Sequence, residues 1–100
     1  MTRQLFTLRV DADHPSLPGH FPGRPIVPAV VLLDRAIAVA EEWLARPVRV
    51  TSLQQAKFTR PLLPEQTACL TLTLTGGELR FEIQRDDERI AQGVFKVGLG

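Results

Sequence analysis

From Ala29 to Ala45 the chain reads AVVLLDRAIAVAEEWLA, with no glycine or proline and with apolar residues on nearly every side of the first three turns. A run of that length without a breaker predicts a helix. A helix that is apolar almost all round cannot lie on a surface, so it has to be enclosed by other structure. Pro28 suits its first turn, where a missing amide is no loss. Glu41 and Glu42 take the last turn to solvent, and Pro47 ends it.

Strands supply the enclosure. Gln4 to Val10 places Phe6, Leu8 and Val10 on one side, which predicts a short strand. Beyond the helix, Val48 to Phe58 forms one segment that closes at Pro61 and Pro64. Ala68 to Thr75 alternates cleanly and stops at Gly76-Gly77, a hairpin signal. Leu79 to Gln84 alternates again, Asp86-Asp87-Glu88 turns the chain, and Ile90 to Val97 completes the sheet. The fold class is α+β: a single domain over residues 1–100, with an antiparallel sheet wrapped around one long central helix.

A chain of 100 residues makes one small domain, which buries only about 60 to 65% of its unfolded surface. With 44% hydrophobic residues, that size favours a homo-oligomer; a monomer with one dense core is the competing reading. A net charge of +1 lacks the broad basic field that nucleic acid requires. The single cysteine, Cys69, allows neither an internal disulfide nor a thiolate zinc cluster. The N-terminus has no apolar run of the signal-peptide kind, and the longest apolar stretch, interrupted by Pro28, is far too short for a membrane span. A cytoplasmic protein is the expectation. His14 with Asp11 and Asp13 fits no standard metal spacing, so no metal is expected.

Between Asp11 and Pro28 lie five prolines and two glycines. Prolines remove amide donors and restrict the residues before them, so neither a regular helix nor a central strand fits there. A long irregular segment in a small domain is usually functional or disordered, and Leu17, Phe21, Ile26 and Val27 argue against disorder. His20 sits in this segment between Gly19 and Phe21-Pro22-Gly23, where prolines fix the backbone and glycines allow close approach. The helix that follows carries Asp34 in an apolar stripe, with Val30 and Val31 behind it and Ile37 and Ala38 ahead. Burial there would favour the protonated carboxyl, as a general acid near neutral pH requires. An arginine from elsewhere, or a gap in the sheet, would equally accommodate it. At the helix start, the amides around Ala29 and Val30 have no intrahelical acceptor and could hold a carbonyl oxygen as it becomes anionic.

The segment HFPGRPIVPAVVLLD, His20 to Asp34, resembles the active-site segment of the hot-dog-fold 3-hydroxyacyl-[acyl carrier protein] dehydratases. His20, Phe21, Gly23, Pro25, Pro28 and Asp34 fall in register with that family's pattern. KFTRPLLPEQ, Lys57 to Gln66, is similar to its second signature. The short length looks most like the small dehydratases of aryl-polyene-type clusters. The resemblance implies that His20 takes the α-proton of a thioester, that Asp34 helps the β-hydroxyl leave, and that the Ala29 amide polarises the carbonyl. It implies Phe21, Gly23, Pro28 and Val30 as substrate-lining residues. No cofactor of the enzyme's own is implied, since phosphopantetheine arrives with the substrate. Arg24, Lys57 and Arg60 could meet an acidic acyl carrier protein, or could be ordinary surface charge. In the family two subunits pair and share their sites, which implies a homodimer or higher homo-oligomer, or a hetero-oligomer with a related dehydratase. Two departures stand out: Ala29 replaces a glycine, and Glu65-Gln66 replaces a Gly-Asp pair. A non-catalytic or hetero-oligomeric subunit that binds carrier protein or acyl chains, and a hot-dog thioesterase, are the alternatives.

Overall fold

The computed structural model describes residues 1–11 and 26–99. His14, His20, Phe21, Gly23 and Arg24 lie outside the described residues.

The elements run β1 (Thr2–Leu8), α1 (Ala29–Leu44), β2 (Val48–Phe58), β3 (Ala68–Thr75), β4 (Glu78–Arg85) and β5 (Glu88–Leu99). All strand pairs are antiparallel and the sheet order is β1-β3-β4-β5-β2. The α+β architecture and the order of elements are those the sequence predicts. β3, β4 and β5 form a meander joined by two-residue turns at Gly76-Gly77 and Asp86-Asp87, with Thr75 opposite Glu78 and Arg85 opposite Glu88. Both turns place a positive φ at their first central residue, 57° at Gly76 and 56° at Asp86, which matches the twist of the flanking strands. β1 and β2 occupy the two edges, so residues 9–47 carry the chain from one edge to the other, with α1 on the way.

Alternation in the central strands sets the core. Leu70 and Leu72 of β3, Leu79, Phe81 and Ile83 of β4, and Phe95 of β5 are all essentially sealed from solvent. One cross-strand row reads Leu72, Phe81, Gly93. Gly93 is there because a side chain would not fit: a Cβ built on it would lie 2.7 Å from Phe81 Cε1. The rings of Phe81 and Phe95 pack with centroids 5.1 Å apart. At the β1 edge, Trp43 meets Phe6 edge-on at 6.0 Å.

Three boundaries differ from the sequence expectation. β1 runs Thr2–Leu8 and not to Val10, because the Val10 carbonyl leaves the ladder to accept from the Glu65 amide at 2.8 Å. Pro28 stands before the helix with φ −61° and ψ 147°, capping it from outside. β2 is interrupted by register shifts near Ser52 and Gln55, with Gln55 at φ 55°.

The larger correction concerns α1. Leu32, Ala36 and Ala40, spaced by four, are buried against the sheet, and the two alanines let the helix lie close to it. Val30, Asp34 and Ala38 form a second line at the same spacing, and all three are exposed. The two lines lie about 200° apart around the helix. Among the described residues, the sheet covers the Leu32, Ala36 and Ala40 side of α1 and leaves the Val30, Asp34 and Ala38 line exposed.

Candidate active site

Pro28 contributes no side-chain cap, and its carbonyl accepts from the amides of Val31 at 3.0 Å and Leu32 at 3.3 Å. Among the described residues, the amides of Ala29 and Val30 have no acceptor. No acidic side chain stands in the first turn, so the partial positive charge of this helix end is not neutralised from within the helix.

A groove of about 260 Å³ lies against this helix start. Its walls include Ile26, Pro28, Ala29 and Leu32 on one side and Phe58, Arg60 and Leu62 on the other. It is mostly apolar, and Ala29, whose amide has no acceptor among the described residues, lies on its wall, a combination typical of small-molecule sites. Arg60 is the cation on its wall and pairs with Glu88 at 3.0 Å. Both side chains are more than half exposed, so the pair contributes little to stability.

Of the residues picked out by sequence, the structure gathers Pro28, Ala29 and Arg60 around one groove. Lys57 is exposed on β2 and is not among the lining residues, and Val30, 59% exposed, points away. Phe58 and Leu62 line the groove without having been singled out. Their signal was present, because both belong to KFTRPLLPEQ, which folds back onto the helix start through Val27 N–H donating to Leu62 O at 2.8 Å.

Asp34 is not stranded in an apolar interior. It is exposed, and no described residue forms an ion pair with it. Arg35, its neighbour, turns aside and donates from Nη1 to the Arg9 carbonyl at 3.3 Å. The apolar neighbours of Asp34 divide between the faces: Val31 is buried, whereas Val30 and Ala38 are exposed with it. A stripe read from spacing alone does not say which part of it the sheet covers.

The two departures from the family pattern exchange their importance. Ala29 is helical and is not among the residues with positive φ, so alanine is unstrained there. Glu65 has φ 71° and stands where the second signature has glycine. Its amide donates to Val10 O, and its carboxylate pairs with Arg9. That pairing raises the Arg9 pKa, first through the hydrogen bond and then through the carboxylate charge. Gln66 takes over the local capping: Leu63 N–H donates to its Oε1 at 3.0 Å, while its own amide donates to Leu63 O at 3.2 Å.

Among the described residues there is no group of three or more His, Cys, Asp or Glu able to hold a metal ion. Cys69 is half-buried and unpaired in β3. No described helix is long and apolar enough to cross a membrane.

The chain is similar to known dehydratases over nearly its whole length. The ApeI-like family, described as ApeI dehydratase, matches residues 1–94. A 3-hydroxyacyl-[acyl-carrier-protein] dehydratase FabZ of Syntrophomonas wolfei is 25% identical, over 91% of this chain and 72% of its own length. The FabZ of Symbiobacterium thermophilum is 31% identical, over 94% of this chain and 63% of its own. Among solved structures, the dehydratase heterocomplex ApeI:P from Xenorhabdus doucetiae superposes with a TM-score of 0.85 at 28% identity, over 95% of this chain and 86% of that one. The curated relatives thus extend beyond the matched stretch, by about a third of its length or more, while the ApeI:P chain is close to it in size. With the strand order and the helix placed as described, the chain belongs to the ApeI-like dehydratases, hydro-lyases of the hot-dog fold.

Proposed function

We propose that the protein removes water from 3-hydroxyacyl thioesters carried on acyl carrier protein and releases trans-2-enoyl thioesters, in fatty-acid or polyene-type biosynthesis. The observation that carries this reading is the amide of Ala29, without an acceptor among the described residues, at the helix start that lines an apolar groove. An oxygen placed there gains most as it becomes an oxyanion, so this amide stabilises the enolate-like state more than the ground-state thioester. His20 accepts the α-proton as that C–H bond breaks. The electron pair moves into the new double bond, the Cβ–O bond breaks, and Asp34 protonates the departing hydroxyl to give water. Phe21 and Gly23 flank the histidine, and Pro28 and Val30 flank the amide that holds the carbonyl. No cofactor takes part.

Asp34 lies on the face of α1 opposite Leu32, which lines the groove of its own chain. This placement favours a site that combines the His20 of one chain with the Asp34 of another. The partner is a second copy or a related dehydratase; the ApeI:P structure, named as a heterocomplex, lends support to the latter. Arg24, Lys57 and Arg60 form the cationic approach for an acidic carrier protein, and the compartment is the cytoplasm.

The test is incubation with a 3-hydroxyacyl thioester on acyl carrier protein, following enoyl product and free thiol together. Enoyl product that disappears in His20→Ala supports the reading. Absence of turnover by the wild type, or a His20→Ala rate equal to it, overturns it. Thiol release without enoyl product would indicate a thioesterase.

A further inference from the structure

β2 changes face in a way that a regular strand could not. Leu53 lies opposite Phe95 and Phe58 opposite Ala91, and both partners are buried in the core. Residues paired across antiparallel strands share a face, so Leu53 and Phe58 both lie on the core side of the sheet. Their separation in sequence is odd, which in unbroken alternation puts two side chains on opposite faces. The difference is taken up between the Gln54–Val94 and Lys57–Gln92 pairs, where Gln55 and Ala56 stand against Gly93 alone. One extra residue makes a β-bulge, and it resets the face that every later side chain takes. Without it Lys57 would take the core face and Phe58 the outer one.

The bulge is fitted to the sheet beneath it. Gln55 holds a left-handed φ of 55°, uncommon for a residue with a side chain. Gly93 leaves the space: a Cβ there would lie 3.3 Å from Ala56 Cα as well as against Phe81. Just beyond, Thr59 N–H donates to Ile90 O at 3.0 Å, and the Thr59 hydroxyl donates to Arg89 O at 2.7 Å. The backbone is thus fixed on both sides of Phe58. Its side chain nevertheless stays 41% exposed, on the groove wall that faces Ala29 and Leu32.

We propose that Phe58 is a specificity-determining contact for the acyl chain of the thioester, and that the Gln55-Ala56 bulge positions it. The inference rests on the dehydratase reading of the same groove. Phe58, Leu32, Ile26 and Leu62 make a hydrocarbon wall, whereas a pantetheine arm brings amides that need polar partners. The acyl chain, extending from a carbonyl at the Ala29 amide, is the part of the substrate that such a wall suits.

Phe58→Ala should raise KM for a 3-hydroxydecanoyl thioester about tenfold, the worth of part of an aromatic contact. A 3-hydroxybutyryl thioester has a single carbon beyond the reacting centre, and its KM should move by less than about threefold. For both, kcat should stay nearly unchanged, since no reacting atom is touched, and Phe58→Leu should keep most of the wild-type preference. Gln55→Gly accepts the left-handed φ and should leave the chain-length preference as it is. Gln55→Val, β-branched and ill suited to that φ, should loosen the bulge and shift the preference toward that of Phe58→Ala. Calorimetric binding of decanoyl-pantetheine, which has no hydroxyl to lose, reads the contact without turnover and should weaken about tenfold in Phe58→Ala. Equal losses at both chain lengths would put Phe58 against the pantetheine arm or a neighbouring subunit and overturn the inference. An unchanged preference in Gln55→Val overturns the role of the bulge. If decanoyl-pantetheine binding depends on Phe58 but the wild type forms no enoyl product, the acyl contact stands and the dehydratase reading fails.

Discussion

Leu32 and Asp34, two residues apart on α1, stand on opposite faces of the helix: Leu32 is 3% exposed and lines the groove, while Asp34 is exposed. An exposed carboxylate without an ion-pair partner among the described residues has little role in holding one chain together. Asp34→Asn should therefore leave urea stability within about 0.5 kcal/mol of the wild type. With Asp34 in its proposed role as general acid, turnover should fall by at least about a hundredfold. A stability loss matching the activity loss would contradict this separation.

The same relationship predicts complementation. If one chain's Asp34 serves another chain's groove, then mixing His20→Ala with Asp34→Asn creates mixed dimers with one intact site. After subunit exchange, activity should recover to about a quarter of the wild-type value. A mixture no more active than the sum of its parts would place both groups in one chain.

At the far end of α1, Ala45 adopts φ 55° and ψ 39°, and the cap amide donates to Glu41 O. This left-handed position suits glycine, which lacks the Cβ clash. Ala45→Gly should stabilise the protein by about 1 kcal/mol, and calorimetry should show a melting temperature higher by about 4 to 8 °C for a domain of this size.

Gly93 should tolerate no side chain. The added methyl would meet Phe81 Cε1 at 2.7 Å, Cζ at 2.8 Å and the Ala56 backbone at 3.3 Å. Phe81 is fully enclosed and has no room to yield. Gly93→Ala should cost about 1 to 3 kcal/mol in urea unfolding, as overpacked cores do.

The Glu78–Lys96 pair across β4 and β5 predicts a small acid sensitivity. The hydrogen bond from Lys96, and then its charge, hold the Glu78 carboxyl below its ordinary value of 4.5. Since the folded value is the lower one, the stabilisation is present above the ordinary value and is lost as pH falls through the folded one. Glu78→Gln should thus be less stable than the wild type at neutral pH. The difference should shrink below about pH 4, and a constant difference across that range would rule the pair out as its source.

The sheet was readable from sequence because alternation in β3, β4 and β5 is regular and the Gly76-Gly77 and Asp86-Asp87 turns mark their ends. The helix was readable from its unbroken run, but its burial was not. Asp34 has apolar neighbours at every helical offset, and periodicity does not say that the sheet reaches Leu32 and Ala36 yet stops short of Val30 and Ala38. The groove was half visible: Pro28, Ala29 and Arg60 come from recognisable segments, while Phe58 and Leu62 meet them only through the Val27–Leu62 bond, a contact between residues distant in sequence. Glu65 stood out in sequence only as a departure from the family's glycine; its left-handed φ and its bond to Val10 needed the structure.

The two bonds that close off residues 11–26, Glu65 N–H to Val10 O and Val27 N–H to Leu62 O, are made by main-chain atoms at both ends. The tie between the exit of β1, the entry to α1 and the 62–66 turn therefore depends on main-chain geometry and not on which side chains stand at Val10 and Leu62. A proline at Val27 or Glu65 would remove a donor and open it.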